Sequence, residues 1–295
     1  MWTYYITRRL TRREVNLDEL KQIELDIFIE FDKLCSKLNL RYSMSGGTLL
    51  GAVRHQGFIP WDDDIDLFMP RPDYNKLIDY CKNNETPFDL LCIETNPNYG
   101  YLFGKIMAKN TSIVEEYGNP TNIPMGIYID IFPIDGLADT YKDAKKQFGK
   151  TRFKRELLVA KNWKRFFRSK TRAWYYEPIR FAFFVMSRFV SRKKLIESIQ
   201  KAYINNDFDS LEYGAVICGA YREKEIMPKD HFVPYCDMTF ENHTFKAIAN
   251  YDKYLSKIFG NYMQLPPENQ RVTHHSFTAY KIDEDENPID TAKDQ

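Results

Sequence analysis

Between Trp61 and Met69 the chain reads Trp-Asp-Asp-Asp-Ile-Asp-Leu-Phe-Met, so four aspartates in five residues run straight into an apolar stretch. A solvated acidic loop seldom contains residues like Ile65, Leu67 and Met69, or follows ones like Phe58, Ile59 and Trp61. Extended as a strand, the segment puts Asp64, Asp66 and Phe68 on one face and Ile65, Leu67 and Met69 on the other. Neighbouring carboxylates on one face repel, and neither is buried cheaply without a compensating cation. A hard, oxygen-seeking ion such as Mg²⁺ or Mn²⁺, held by Asp64 and Asp66 with Asp62, resolves the conflict and would bridge to substrate phosphates.

The residues just upstream read as strand, turn and helix. Leu40, Tyr42 and Met44 alternate with Arg41 and Ser43, Gly46-Gly47 breaks the alternation, and helix formers follow from Leu49 to Val53. A backbone leaving a strand through two glycines brings its N–H groups close to an anion, and the following helix adds its positive end. Ser45, Gly46, Gly47 and Thr48 are therefore phosphate-binding candidates, with Ser45 or Thr48 as the helix cap. Arg54 and His55 close the helix, within reach of a phosphate or simply where the helix dipole favours them.

A further carboxylate fits the same geometry. In Gly126-Ile127-Tyr128-Ile129-Asp130-Ile131-Phe132-Pro133 a single acid interrupts an apolar strand, where it must be paired, hydrogen-bonded or bound to metal. Beside Asp64 and Asp66 it would complete a three-carboxylate site, as a metal ligand or as a general base. Lys105, which interrupts Leu102-Phe103-Gly104-Lys105-Ile106-Met107, points either inward to these acids or to solvent. Asp135 is assigned to a turn with Gly136.

These segments, with Leu265-Pro266-Pro267-Glu268-Asn269-Gln270-Arg271 and His274-His275 near the end, resemble the LicD family of bacterial phosphocholine transferases, itself similar to fukutin and fukutin-related protein. The resemblance runs from about Leu17 to about His275 and lacks any cluster like the zinc-binding cysteines of fukutin-related protein. It implies an α/β (α+β) fold of the nucleotidyltransferase type, a mixed sheet flanked by helices. It implies transfer of a phospho-alcohol from CDP-choline, CDP-glycerol or CDP-ribitol to a sugar hydroxyl of a teichoic acid, capsule or lipopolysaccharide, releasing CMP. Arg271, His274 and His275 would then stand near the donor. One alternative is nucleotidyl transfer from an NTP with pyrophosphate release. The other is a non-catalytic membrane-docked scaffold, which three intact carboxylates disfavour. The alcohol is not identified; Tyr99, Tyr101 and Trp61 are candidates for a cage around a quaternary ammonium.

With 295 residues, 43% of them hydrophobic, the chain can bury one large core with insertions. Five scattered cysteines and an N-terminus without an apolar signal core point to a reducing, cytoplasmic setting, with peripheral attachment to the inner face of a bacterial membrane. The net charge of +1 hides a segregation: Tyr141 to Lys201 holds 19 Lys and Arg against 4 Asp and Glu, a net of +15, leaving −14 elsewhere. Within this block Arg180, Ser187, Arg188, Ser191 and Arg192 share one arc of a Phe-rich helix too short to span a bilayer. Such a helix lies in an anionic membrane surface or packs on the protein. Nucleic acid is not an expected partner, since no recognition motif accompanies the charge.

The expected organisation is a catalytic core over residues 1–140, a basic helical insertion over 141–210, a segment completing the core over 211–282, and a disordered acidic tail over 283–295. Helices are expected from Leu17 to Leu38, from Pro70 through Tyr80, and from Asn250 to Gly260. Strands are expected over Asp89–Glu94, Leu102–Met107, Met125–Phe132 and Ala215–Tyr221, with a hairpin over Met238–Phe245.

Overall fold

In the structure, a computed structural model that describes residues 10–115, 121, 123–169, 173–203, 205–271, 273 and 277–284, a short strand β1 (Leu10–Glu14) leads into helix α1 (Leu17–Leu38). Asn16 starts this helix with a capping box: its side chain accepts from the Glu19 N–H, and the Glu19 carboxylate accepts from the Asn16 N–H. Asn39, in the left-handed region that Asn tolerates, ends it. Between these caps Leu20, Ile23, Ile27, Phe28, Phe31 and Leu34 bury the helix stripe in the main core.

The chain continues through β2 (Ser43–Met44), α2 (Gly46–His55), β3 (Asp66–Pro70), α3 (Arg71–Asn83), β4 (Phe88–Leu91), β5 (Gly104–Ala108), β6 (Thr111–Glu115) and β7 (Tyr128–Ala138). Four helices follow, α4 (Tyr141–Gly149), α5 (Arg152–Lys161), α6 (Glu177–Arg188) and α7 (Arg192–Gln200). Then come β8 (Tyr213–Val216), β9 (Met227–Pro228), β10 (Tyr235–Phe240), β11 (His243–Ile248), α8 (Tyr251–Phe259) and β12 (Phe277–Glu284). Nine strands form one mixed sheet whose main path is β10-β11-β2-β3-β7-β5-β4, while β1, β12 and β6 make a separate three-stranded sheet. This is the mixed α/β architecture expected.

Strand β7 organises the large sheet. On one side it pairs parallel with β3; on the other it pairs antiparallel first with β5 and then, from Ile134 onward, with β8. Its residues alternate as anticipated, Ile129 and Ile131 fully buried and Tyr128, Asp130 and Phe132 half-buried on the opposite face. A second apolar cluster, including Leu137, Phe148, Leu157, Ile196 and Ile199, packs the basic helices against β7 and β8.

Four expectations need correction. The helix after the glycine pair begins at Gly46 itself, with Ser45 at the cap position and no side-chain cap bond. Asp64 lies ahead of the strand, since pairing begins at Asp66. Asp135 is not in a turn: β7 runs on to Ala138, and Asp135 is buried in a bidentate pair with Arg71 at 2.7 and 2.9 Å. Asp283 and Glu284, expected in a disordered tail, pair as the end of β12 with Thr11 and Leu10, while residues 285–295 lie outside the described residues.

Candidate active site

Parallel pairing of β3 and β7 sets Asp66 directly opposite Asp130, and antiparallel pairing of β7 and β5 sets Asp130 opposite Lys105. Three polar residues thus form a row across three adjacent strands. Lys105 is buried, its Nζ 2.7 Å from Asp130 Oδ1 and 3.4 Å from the centre of the Tyr128 ring. Of the two orientations open to Lys105, the inward one is realised. A buried ammonium tolerates this position because it has both a carboxylate and an aromatic face as partners.

Just ahead of β3, ligand atoms of Asp62, Asp63 and Asp64 lie within 4.8 Å of one another. Burial, and then the charges of Asp64, Asp130 and Asp62, push the Asp66 carboxyl well above the usual carboxylate range, with Lys105 opposing. The acids act on one another through their charges, while those whose ligand atoms lie within 4.8 Å of one another are Asp62, Asp63 and Asp64. Asp63, absent from the expected ligand set, is the most buried of the run.

Helix α2 frames this cluster. The Thr48 hydroxyl accepts from the Asp66 N–H at 2.8 Å, and the Ser45 N–H donates to the Asp66 carbonyl at 3.0 Å. Both side chains are buried, and the Thr48 hydroxyl and the Ser45 N–H support the Asp66 backbone. Gly46 has φ +49°, its N–H donates to the Tyr254 hydroxyl, and a Cβ there would stand 3.2 Å from Asp66 Oδ2. A Cβ at Gly47 would stand 2.6 Å from Asp62 Oδ2. The glycines let the positive end of α2 approach the aspartates closely.

At the other end of α2 a basic group assembles. Arg54 donates to the Tyr262 carbonyl at 2.8 Å, and the His55 ring meets Trp61 at 6.3 Å. Arg271 lies 5.5 Å from the Trp61 ring centre and donates to the Pro266 carbonyl. Burial, and then the Arg271 charge, lower the Arg54 pKa; burial, and then Arg54, lower that of His55. Two guanidiniums near each other, with no carboxylate pairing either among the described residues, suit a multiply charged anion. Trp61 joins this group to the adjacent acidic run. His274 and His275 lie outside the described residues.

Sequence reasoning missed Glu24. It sits on the buried face of α1, 2% exposed, with Oε2 lacking a hydrogen-bond partner. Burial first, and then the charges of Asp64, Asp63, Asp130 and Asp62, push its carboxyl well above the ordinary range. The signal was available: Glu24 follows Leu20 by four residues and precedes Ile27 by three, where the helical stripe calls for an apolar side chain.

An unpartnered buried carboxyl oxygen facing a crowded acidic run is what a divalent cation would satisfy. The donor set, all hard carboxylate oxygens, suits Mg²⁺ or Mn²⁺. The proposed tyrosine-tryptophan cage is not assembled: Tyr99 is buried, and among the described residues no ring contact joins Trp61 to either tyrosine. Instead Tyr101, Phe103 and Phe132 form a row with centres 5.3 and 4.6 Å apart beside Lys105. Tyr101 and Phe103 also line a cavity of about 380 Å³ whose far wall is Phe148, Arg155 and Trp163 of the basic insertion.

A family model described as LicD/FKTN/FKRP, nucleotidyltransferase domain, matches residues 39–166. That span contains Asp62, Asp64, Asp66, Lys105 and Asp130, while Glu24 and Arg271 fall outside it. Across 277 residues the chain is 30% identical to the lipopolysaccharide cholinephosphotransferase LicD of Haemophilus influenzae, covering 91% of this chain and 99% of that protein. An uncharacterised Rickettsia typhi protein is 39% identical over 67 residues, 22% of each chain. One from Rickettsia prowazekii is 60% identical over 35 residues, 12% of this chain and 13% of its own.

Proposed function

Since this chain belongs to the LicD family of phosphotransferases, we propose that it transfers phosphocholine from CDP-choline to a sugar hydroxyl of a surface glycopolymer of the lipopolysaccharide type, releasing CMP. The observation that carries this reading is the placement of Asp66 against Asp130 beside the Asp62–Asp64 run, with the Arg54 and Arg271 guanidiniums beyond Trp61. Carboxylates gather where a metal-bound diphosphate would sit, and cations gather where its remaining charge would lie.

Asp62, Asp64 and Asp66 would hold Mg²⁺, with Glu24 behind them. When bound, the ion supplies neutralisation of the charge that grows on the transferred phosphoryl group and the leaving nucleotide. Arg54 and Arg271 would orient the donor by its phosphate oxygens. The acceptor hydroxyl attacks the choline-bearing phosphorus, the bond from that phosphorus to the bridging oxygen breaks, and CMP departs with the electron pair. Asp130 takes the hydroxyl proton or contributes a ligand; Lys105 fixes its position in either role. Tyr101, Phe103 and Phe132 give the site an aromatic wall that would meet the methyl groups of choline.

Incubation with CDP-choline, Mg²⁺ and a lipopolysaccharide acceptor, followed by ion-exchange resolution of nucleotides, should yield CMP in step with acceptor labelling. Pyrophosphate released from CTP, with no CMP from CDP-choline, would instead establish nucleotidyl transfer. Asp130→Asn should lower turnover by about 10²–10⁴-fold. If that variant keeps wild-type affinity for CDP-choline and Mg²⁺ in calorimetry, proton acceptance is the role of Asp130. If Mg²⁺ affinity falls with turnover, ligation is.

A further inference from the structure

Helix α6 is inverted relative to an ordinary surface helix. Of its polar arc, expected to lie in a membrane surface or to pack on the protein, Arg180 and Ser187 turn into the protein while Arg188 stays exposed. Arg180 is buried, pairs with Glu177 at 2.8 Å and lies among the Trp163, Phe166 and Phe167 rings. Ser187 is fully buried, Arg188 donates to the Ala160 and Trp163 carbonyls, and Arg192 donates to Asn162. The arginines are occupied in fastening α6 to the end of α5 and the segment after it.

What faces outward is apolar apart from the exposed Arg188 at the end of the helix. Ile179, Phe181, Val185 and Met186 are exposed, and Phe189, just past the helix end, is 86% exposed. Pro178, Ala182, Val185 and Phe189 follow one another at helical spacing, so the exposed side chains form a continuous stripe. Between Glu177 and Arg188 the one charged residue is Arg180, whose head is directed away from that stripe. Trp174, 82% exposed, and Tyr175 extend the apolar surface at its N-terminal end. Alongside runs the segment Trp163–Arg168, joined to α6 through Phe166 on Phe181 and Phe184; it adds an exposed Phe167 flanked by exposed Lys164, Arg165 and Arg168.

We propose that the outward stripe of α6, with Trp174 at one end and the Lys164–Arg168 cations at its rim, is the surface by which this protein docks onto an anionic lipid bilayer. Charge and shape select this occupant. Aromatic and aliphatic side chains at the headgroup boundary, rimmed by cations and carrying no acid, match an anionic interface and would leave the cations facing nothing on an apolar protein partner. The +15 charge of the surrounding block draws the face to such a surface. Among the described residues no helix is long and apolar enough to cross a membrane, so attachment is peripheral. The inference is independent of the reaction proposed above, because docking is read without turnover.

The full chain is sedimented with vesicles of phosphatidylglycerol and phosphatidylcholine, and with phosphatidylcholine alone. Wild type should pellet with the anionic vesicles only and be released by salt as charges are screened beyond a Debye length of about 8 Å. Ile179→Ser combined with Val185→Ser and Phe189→Ser, all exposed and so compatible with folding, should reduce partitioning by about tenfold or more. In the wild-type chain, brominated phosphatidylglycerol vesicles should quench Trp174 emission, identified as the part lost in Trp174→Phe. Equal recovery of wild type and triple variant, or absence of Trp174 quenching, overturns the proposal. So does a wild-type dimer that fails to pellet and becomes a monomer in the triple variant, which would assign the stripe to a second copy of the chain.

Discussion

Asp66→Asn should eliminate transfer, a loss of about 10³-fold or more, while leaving the metal-free protein as stable as wild type or more so. The two effects have one cause. Asp66 stands opposite Asp130 with Asp62 and Asp64 close by, and burial together with these charges makes its ionised form costly in the folded chain. An amide of nearly the same shape keeps the Thr48 and Ser45 contacts, which involve only the Asp66 backbone. It removes repulsion and, with it, a ligand. Asp64→Asn should behave likewise, since Asp64 is the first charge acting on Asp66 and the first on Glu24. Thermal melts in EDTA and in excess Mg²⁺, beside the transfer assay, check both halves. Wild type should gain thermal stability from Mg²⁺ and the variants little. Substantial Mg²⁺-dependent turnover in both variants would remove Asp64 and Asp66 from the metal site.

The acidic half of the site was legible because its chemistry conflicts with its surroundings. An aspartate run fused to Ile65 and Leu67, and a lone Asp130 among isoleucines, are sequences a fold tolerates only for a reason. Periodicity of two then placed Asp66 and Asp130 on the correct faces, and the fold set them in register. Glu24 carried the same kind of conflict, but an acid on a helix is common on solvent faces, and only the stripe through Leu20, Ile27 and Phe31 shows that Glu24 points inward. For Thr48 the sequence could not show what its hydroxyl meets. A hydroxyl near a glycine turn is equally suited to a phosphate or to a backbone N–H, and the donor it meets, that of Asp66, lies 18 residues away.

Helix α6 shows the limit of reading amphipathicity without a partner surface. Its projection separates polar from apolar correctly, yet nothing in the projection says which side is covered. Arg180 is buried because the carboxylate of Glu177 lies ready to receive it, while Arg188, itself exposed, reaches back to the Ala160 carbonyl at the end of α5. Guanidinium groups so supplied with acceptors are well satisfied indoors.

Asp135→Ala should cost about 3–5 kcal/mol, because it strips the partner from a buried guanidinium. Burial alone would lower the Arg71 pKa; the Asp135 charge and the bidentate hydrogen bonds more than offset this and keep the pair ionised. Arg71 opens α3 and Asp135 lies late in β7, where Tyr203, Ile199 and Cys218 close over them, so the pair ties α3 to the sheet beneath the end of α7. Urea unfolding should show a lower midpoint with an unchanged slope. Arg71→Met with Asp135→Leu should recover most of the loss, since removing both charges leaves neither unpaired. The Asp135→Ala molecules that remain folded should transfer at close to the wild-type rate, because Asp66 and Asp130 are held by pairing between β3 and β7 that the substitution leaves in place. A loss below about 1 kcal/mol would return Asp135 to the exposed class of surface ion pairs. A stability loss accompanied by inactive folded protein would mean that the junction of α3 with β7 also shapes the active site.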